Sequence, residues 1–343
     1  MMPGMETRAA EPSPPIAPPE ASNDVPRLAD LRVLVLAGGL SYERDVSLRS
    51  GRRVADALTA AGHRVVLRDP DAGLLPFLAN ERPDVVFPAL HGSSGEDGSL
   101  LDLLRALGVP TVGSTGAAAR RAWSKPIATS LAAGAGLSVP ESIVLSHEAF
   151  RELGAASVLR VVREALEGDL VVKPGSGGSA QGVTIVDDPN DLPRAMVEAF
   201  TYDDVAVVER RIVGTELAVA VVDDGEGPRA LTPVEIEPSH GVYSFQARYN
   251  AGETTFYAPS RLSDEVTAAA ADAAVLAHRT LGLRDLSRVD FIVDGEGTPW
   301  FLEANVIPGL TETSLVPLAI EASGTDASSV YGGLVRAAAE RGA

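Results

Sequence analysis

The chain has 343 residues, a formal net charge of −18, five histidines and no cysteine. So acidic a surface aids solubility and repels phosphate backbones and anionic lipid, which disfavours nucleic-acid and membrane-surface binding. The missing cysteines exclude disulfides, thiolate nucleophiles and Cys-based zinc sites, and no stretch approaches the ~20 apolar residues of a membrane span, so a cytoplasmic protein is expected.

A chain of this length exceeds one ordinary hydrophobic core, so two or three domains are expected. Residues 1–30 are rich in proline, with Pro14-Pro15 and Pro18-Pro19, and lack apolar periodicity. Such a stretch cannot bury enough apolar surface to offset ordering and reads as a disordered tail. Leu31–Ala37 is a continuous apolar run ending at Gly38-Gly39, as expected of a buried parallel strand. A helix follows, with Asp45 or Ser47 as candidate cap, Leu48, Val54, Ala57, Leu58 and Ala61 along one face, and Gly62 closing it. Strands at His63–Leu67 and Asp84–Leu90 and a helix over Leu100–Leu107 continue an alternating pattern. That alternation predicts an open, mostly parallel sheet covered by helices.

The middle reads as a helix near Lys125–Ala133, a strand at Glu141–Leu145, a helix from Ser146 and a strand at Asp169–Lys173. The glycine-rich loop Gly175–Gly182 then leads into Val183–Val186 as a β-hairpin. A helix over Asp191–Phe200 and a strand at Val205–Glu209 follow. The last third opens with long strands, Glu216–Val222 and Arg229–Glu235. The stretch Ile236–Pro259 is poor in apolar residues and reads as one long loop, a length usually reserved for function. The helix Asp264–Leu281, strands Arg288–Val293 and Pro299–Glu303, and a helical end from Leu315 complete the chain.

Three segments carry chemistry. In Lys173–Gly182 several glycines permit close backbone approach, and N–H groups with Lys173 can converge on phosphate oxygens. No Gly-Lys-Ser/Thr follows, so this is not a Walker A loop. Asp290, with Glu303 and Asn305 two positions apart on one strand face, offers hard oxygen ligands suited to Mg²⁺ on nucleotide phosphates. His91, in Ala89–Gly98, lies at the carboxyl end of a strand, where open α/β sheets bind ligands. Alone, these segments are also compatible with a flexible hairpin, solvated strand-end charges and a structural histidine, in that order, although the apolar runs flanking Asp290 and Glu303 favour their inward placement.

Together these segments resemble the D-alanine–D-alanine ligases of the ATP-grasp superfamily. The resemblance runs through GGLSYERDVSLRSG (38–51), ALHGSSGEDG (89–98), the 173–182 loop, ARYNAGETTFYAP (247–259), SRVDF (287–291) and LEANVIPGLTETSLVP (302–317), in the family's order and spacing. It implies an α/β and α+β architecture: an open parallel-sheet amino-terminal domain followed by a two-domain ATP-grasp fold. The boundaries fall at a tail 1–30, a substrate domain 31–123, a central domain 124–211 and a carboxyl-terminal domain 212–343 with the lid loop and metal site.

The implied activity is ATP-dependent joining of two D-alanines through an acyl phosphate, for peptidoglycan precursor synthesis. Lys125, Lys173 and Gly178 would face the ATP phosphates; Glu209, Arg211 and Ile212 the adenine; Glu216 the ribose. Asp290, Glu303 and Asn305 would hold two Mg²⁺ ions, with Mn²⁺ as a substitute. Glu43 would meet the first D-alanine's ammonium and His91 would lie near its carboxylate. Ser314 and the Leu315 backbone would take the second carboxylate, and Arg288 with the Gly309 N–H would face the oxyanion. Glu43, Ser179 and Tyr249 match a hydrogen-bonded triad that closes the lid, and a homodimer is common in the family.

The sequence departs from the family at Ala180, Gln181, Arg248 and Val306, all around the phosphate and second-substrate sites. Arg248 stands where a lysine is usual, and its planar fork is not equivalent geometry. The alternative is an ATP-grasp ligase acting on other amino acids or on D-alanine with a hydroxy acid; Tyr249 argues against the hydroxy acid.

Overall fold

The computed structural model describes residues 30–239 and 252–343. The proline-rich tail and the lid residues Arg248 and Tyr249 therefore lie outside the described residues.

The first unit runs β1 (Arg32–Leu36), α1 (Arg44–Ala60), β2 (Arg64–Arg68), α2 (Leu74–Glu81), β3 (Val85–Pro88), α3 (Ser93–Glu96), α4 (Ser99–Ala106) and α5 (Gly116–Trp123). Its strands are all parallel, in the order β2–β1–β3. The apolar run at 31–37 is continuous because β1 is covered on both faces. Val33 and Val35 pack with Val54 and Leu58 of α1, whereas Leu34 and Leu36 pack with Leu74 and Leu78 of α2 and Leu104 of α4.

The middle unit runs α6 (Lys125–Gly134), β4 (Ser142–Ser146), α7 (His147–Glu152), α8 (Ala155–Ala165), β5 (Leu170–Pro174), β6 (Thr184–Val186), α9 (Leu192–Ala199) and β7 (Val205–Arg210). The antiparallel sheet β4–β7–β5–β6 packs Val172, Ala206 and Val208 against Val162 of α8 and Leu192 and Met196 of α9. The expected hairpin around the glycine loop is present as the β5–β6 pair.

The last unit runs β8 (Thr215–Val222), β9 (Arg229–Ala230), β10 (Val234–Pro238), β11 (Thr254–Tyr257), α10 (Asp264–Leu281), β12 (Leu286–Val293), β13 (Pro299–Asn305), α11 (Leu315–Ala322) and α12 (Ala327–Arg341). Its antiparallel sheet is ordered β11–β10–β8–β12–β13, with β9 beside β8. One face packs on α10, α5 and α6. The other packs on α11 and α12, and α12 continues onto the first unit, where Tyr331 meets Phe87 edge-on at 5.8 Å. The two ends of the described chain thus share one core. No helix among the described residues is long and apolar enough to cross a membrane.

Several local expectations need correction. Asp45 and Ser47 do not cap α1, which starts after Glu43. Ser47 is buried instead; its Oγ accepts the Gly38 N–H at 2.8 Å and donates to the Ala89 carbonyl at 2.6 Å, joining the ends of β1 and β3. The strand expected at Arg229–Glu235 breaks into β9 and β10, because Pro233 cannot donate to a ladder. The long loop is accordingly shorter, since Val234–Pro238 and Thr254–Tyr257 pair as strands. The helix from Ser146 is two helices separated by Gly154 at φ +82°.

Candidate active site

Two adjoining cavities open between these units. The first, about 460 Å³, includes Lys125, Lys173, Gly178, Glu209, Arg211, Ile212, Glu216, Asp290 and Glu303 in its wall. The second, about 620 Å³, includes Glu43, His91, Gly178, Ser179, Arg288, Asn305, Gly309, Ser314 and Leu315. Gly178 borders both, so the glycine loop is the partition between them.

The carboxylates of the first cavity come from paired strands. Asp290 on β12 is the direct cross-strand partner of Glu303 on β13, and Arg288 is that of Asn305. The period of two therefore puts all four on one face of the ladder, and the register shifts just after Asp290. Arg288 holds Asp290 in a two-pronged grip, Nε and Nη2 each at 2.7 Å from a carboxylate oxygen. Glu303 faces Lys125 at 2.9 Å, and Lys125 also donates to the Gly177 carbonyl at 2.7 Å. This ties the first turn of α6 to the glycine loop. Lys173 and Glu209 form a buried pair at 2.8 Å on β5 and β7.

The donor set fits magnesium. It supplies two carboxylates and one amide, and Mg²⁺ is characteristically held by one or two carboxylates plus phosphate oxygens and water. Asn305 now turns its Nδ2 toward Asp290 at 3.3 Å. A flip of the amide, whose O and N are near-isosteric, would present Oδ1 instead.

In the second cavity, Glu43 precedes the first residue of α1 without capping it. Its carboxylate instead accepts a hydrogen bond from the Ser179 hydroxyl across the gap to the glycine loop. Ser179 and Ala180 both take left-handed backbone conformations, φ +53° and +54°. Such strain in non-glycine residues is held only where surroundings over-determine it.

His91 is buried and its protonation follows from its partners. Nδ1 lies 3.0 Å from the Ile307 carbonyl, which can only accept, so Nδ1 carries the proton. Nε2 then accepts from the Ser50 hydroxyl at 3.0 Å, while Ser50 Oγ takes the Leu310 N–H at 3.1 Å. Burial, aided by the Arg288 charge, pushes the His91 pKa down to about 4, so the ring is neutral. With both nitrogens engaged by the chain, His91 presents a neutral ring to the cavity, joining the first unit to the segment after β13.

Ser314 and Gly309 lie together: a Cβ at Gly309 would stand 2.9 Å from Ser314 Oγ. Ser314 Oγ accepts the Thr311 N–H at 3.0 Å, and α11 starts at Leu315 with its free N–H groups at the cavity. A helix start of this kind favours a carboxylate.

Sequence reasoning did not single out Glu96. It lies at the end of α3, is buried, lines the second cavity, and accepts the Gly92 N–H at 2.8 Å. Its motif was visible, but nothing in a solvated-looking Gly-Glu-Asp-Gly run signals a buried carboxyl. Arg261 was also unread; it pairs with buried Glu235 and stacks on Tyr257 at 3.6 Å, at the rim of the first cavity.

The chain is similar to known proteins over most of its length. Residues 131–336 match the family model described as the D-ala D-ala ligase C-terminus. A D-alanine–D-alanine ligase of Anaeromyxobacter sp. (strain K) is 40% identical over 292 residues, covering 83% of this chain and 90% of that protein. One from Bordetella petrii is 39% identical over 308 residues, covering 90% and 92%. The crystal structure of the D-alanine–D-alanine ligase of Bacillus anthracis complexed with ATP aligns with a TM-score of 0.76 at 25% identity, over 91% of this chain and 98% of that one.

Proposed function

This chain belongs to the D-alanine–D-alanine ligase family, and from that premise we propose how its cavities divide the work of joining two D-alanines at the expense of ATP. The observation that carries the reading is the pair of cavities sharing Gly178 as a wall, one lined by lysines and strand carboxylates, the other by Glu43, Arg288 and Ser314.

ATP occupies the first cavity. Lys125 and Lys173 face its phosphates, with N–H groups of the loop around Gly178. Glu209, Arg211 and Ile212 border the adenine, where Lys173 already neutralises Glu209, and Glu216 meets the ribose. Asp290, Glu303 and Asn305 would hold two Mg²⁺ ions, or Mn²⁺, whose contribution is to neutralise charge on the transferring phosphoryl group.

D-alanine occupies the second cavity. Glu43 binds the ammonium of the first molecule and the neutral His91 ring borders its carboxylate. That carboxylate takes the terminal phosphoryl group and becomes an acyl phosphate, a good acyl donor. Ser314 and the first N–H of α11 at Leu315 hold the carboxylate of the second D-alanine. Its amine attacks the acyl carbon, and Arg288 with the Gly309 N–H stabilises the oxyanion, worth ~3 kcal/mol per donor in comparable acyl transfers. Phosphate then leaves. Acyl phosphates hydrolyse, so water must be excluded; Glu43, Ser179 and Tyr249 serve that closure, and Arg248 attracts the second carboxylate. The units divide near residues 124 and 212. The product feeds peptidoglycan precursor synthesis, and the enzyme acts in the cytoplasm as a homodimer.

The test is ADP release with D-alanine, with and without a chelator. Release should need D-alanine, stop on chelation and return with Mg²⁺ or Mn²⁺; release indifferent to the chelator would contradict the metal role of Asp290 and Glu303.

A further inference from the structure

Glu96 has no part in the roles above, yet its carboxyl is buried beside them. Its Oε1 accepts the Gly92 N–H at 2.8 Å. Gly92 follows His91 with φ +69° and ψ −159°, a conformation that favours glycine, and closes the turn into α3. A Cβ built on Gly92 would come within 2.6 Å of Glu43 Oε2 and 3.1 Å of Ser41 Cβ. The bare Cα of Gly92 is thus the surface against which the Glu43 carboxylate rests. From the other side, Ser41 Oγ donates to the His91 carbonyl at 2.7 Å. One turn therefore spaces Glu43 and His91, and Glu96 is the side chain that holds it.

We propose that Glu96 is a positioning residue for the first amino acid: by fixing the Gly92 turn it sets the Glu43 carboxylate and the His91 ring at the spacing an amino-acid ammonium and carboxylate require. The proposal rests on the reading of Glu43 as the ammonium's partner.

Charge supports it. Burial first, then the nearby Glu43 and Glu303 charges, push the Glu96 pKa up to about 8. Near neutral pH Glu96 is thus a neutral acid, and the ammonium meets a carboxylate charge at Glu43 without a second one beside it. A hydrogen-bonding role of this kind is one an amide can fill and a methyl cannot.

The test compares E96Q, E96A and G92A with wild type, measuring KM for D-alanine, KM for ATP, kcat and melting temperature. Loss of one buried hydrogen bond that orients Glu43 should raise the D-alanine KM about tenfold in E96A, with the ATP KM within about twofold. E96Q should restore wild-type behaviour to within about threefold. G92A, which pushes Glu43 from the same turn while leaving Glu96 intact, should reproduce the E96A signature. If E96A does not fold, E96Q and G92A decide. An unchanged D-alanine KM in E96A or G92A, or E96Q as impaired as E96A, would overturn the proposal. Wild type inactive on D-alanine would instead sink the reading of the reaction, and this role with it.

Discussion

Asp290 and Glu303 face each other across the β12–β13 ladder, and each is held by a cation: Arg288, two residues back on the same strand, for the first, and Lys125 of α6 for the second. Removing one carboxylate changes the charge where, on the proposed reading, phosphoryl negative charge develops. Glu303→Gln should fold normally, because Lys125 keeps the Gly177 carbonyl as a partner. Its kcat should fall by roughly 10²–10³-fold, as when one transition-state stabilising group is removed. Steady-state ADP release at saturating Mg²⁺ checks this; full activity would reduce Glu303 to a strand-end charge.

Lys173 and Glu209 separate structure from function. Both side chains are less than a tenth exposed. Replacing either alone leaves a buried charge uncompensated, which should cost about 3–5 kcal/mol. The double replacement Lys173→Met with Glu209→Met should recover most of that stability and yet still fail to bind ATP. Denaturant unfolding and nucleotide titration of the three variants test both halves of the expectation.

Much of this was legible in the sequence, and the gaps have physical causes. The alternating strands and helices of the first unit follow from uninterrupted apolar runs, which only strands covered on both faces can carry. The helix α2 went unread because it shows only two buried apolar positions, Leu74 and Leu78, and contains a proline. The start of α1 was misplaced because its buried face there is polar: Ser47 and Ser50 bond to β1, β3 and His91 and give no hydrophobic signal. The partnership of Asp290 with Glu303 follows from strand pairing, whereas the pairing of Lys125 with Glu303 depends on tertiary packing that no spacing reveals. His91 was visible as a candidate, but its neutral, fully bonded ring was not.

The carboxyl of Glu96 predicts an unusual pH dependence. Its folded pKa of about 8 lies above the ordinary 4.5, so its contribution to stability is full below pH 4.5 and is lost as pH rises toward 8. His91 acts in the opposite sense. Its folded value of about 4 lies below 6.5, so its contribution is full above pH 6.5 and is lost as pH falls toward 4. Urea unfolding from pH 4 to 9 should show the alkaline-side decline flattened in Glu96→Gln by a few kcal/mol. Identical slopes for wild type and variant would mean that Glu96 is ionised in the folded protein.

The carboxyl end of the chain is stapled to the rest by Asp285. This residue is 2% exposed; it accepts two bonds from Arg341, at 2.7 and 2.8 Å, and the Gly113 N–H at 2.7 Å. Arg341→Ala should therefore destabilise by about 1–3 kcal/mol through a buried carboxylate left short of partners. The ATP KM should not change, because Arg341 touches neither cavity. Thermal melting alongside kinetics checks both.

The most direct test of the whole account is the product formed with each amino acid. The enzyme should be incubated with ATP, Mg²⁺ and D-alanine, L-alanine, D-serine or D-lactate, singly and in pairs, with ADP and condensed product quantified by mass spectrometry. The account predicts D-alanyl-D-alanine formed one for one with ADP from D-alanine alone, and no dipeptide from L-alanine. ADP release without any dipeptide, or stimulation by L-amino acids only, would contradict it.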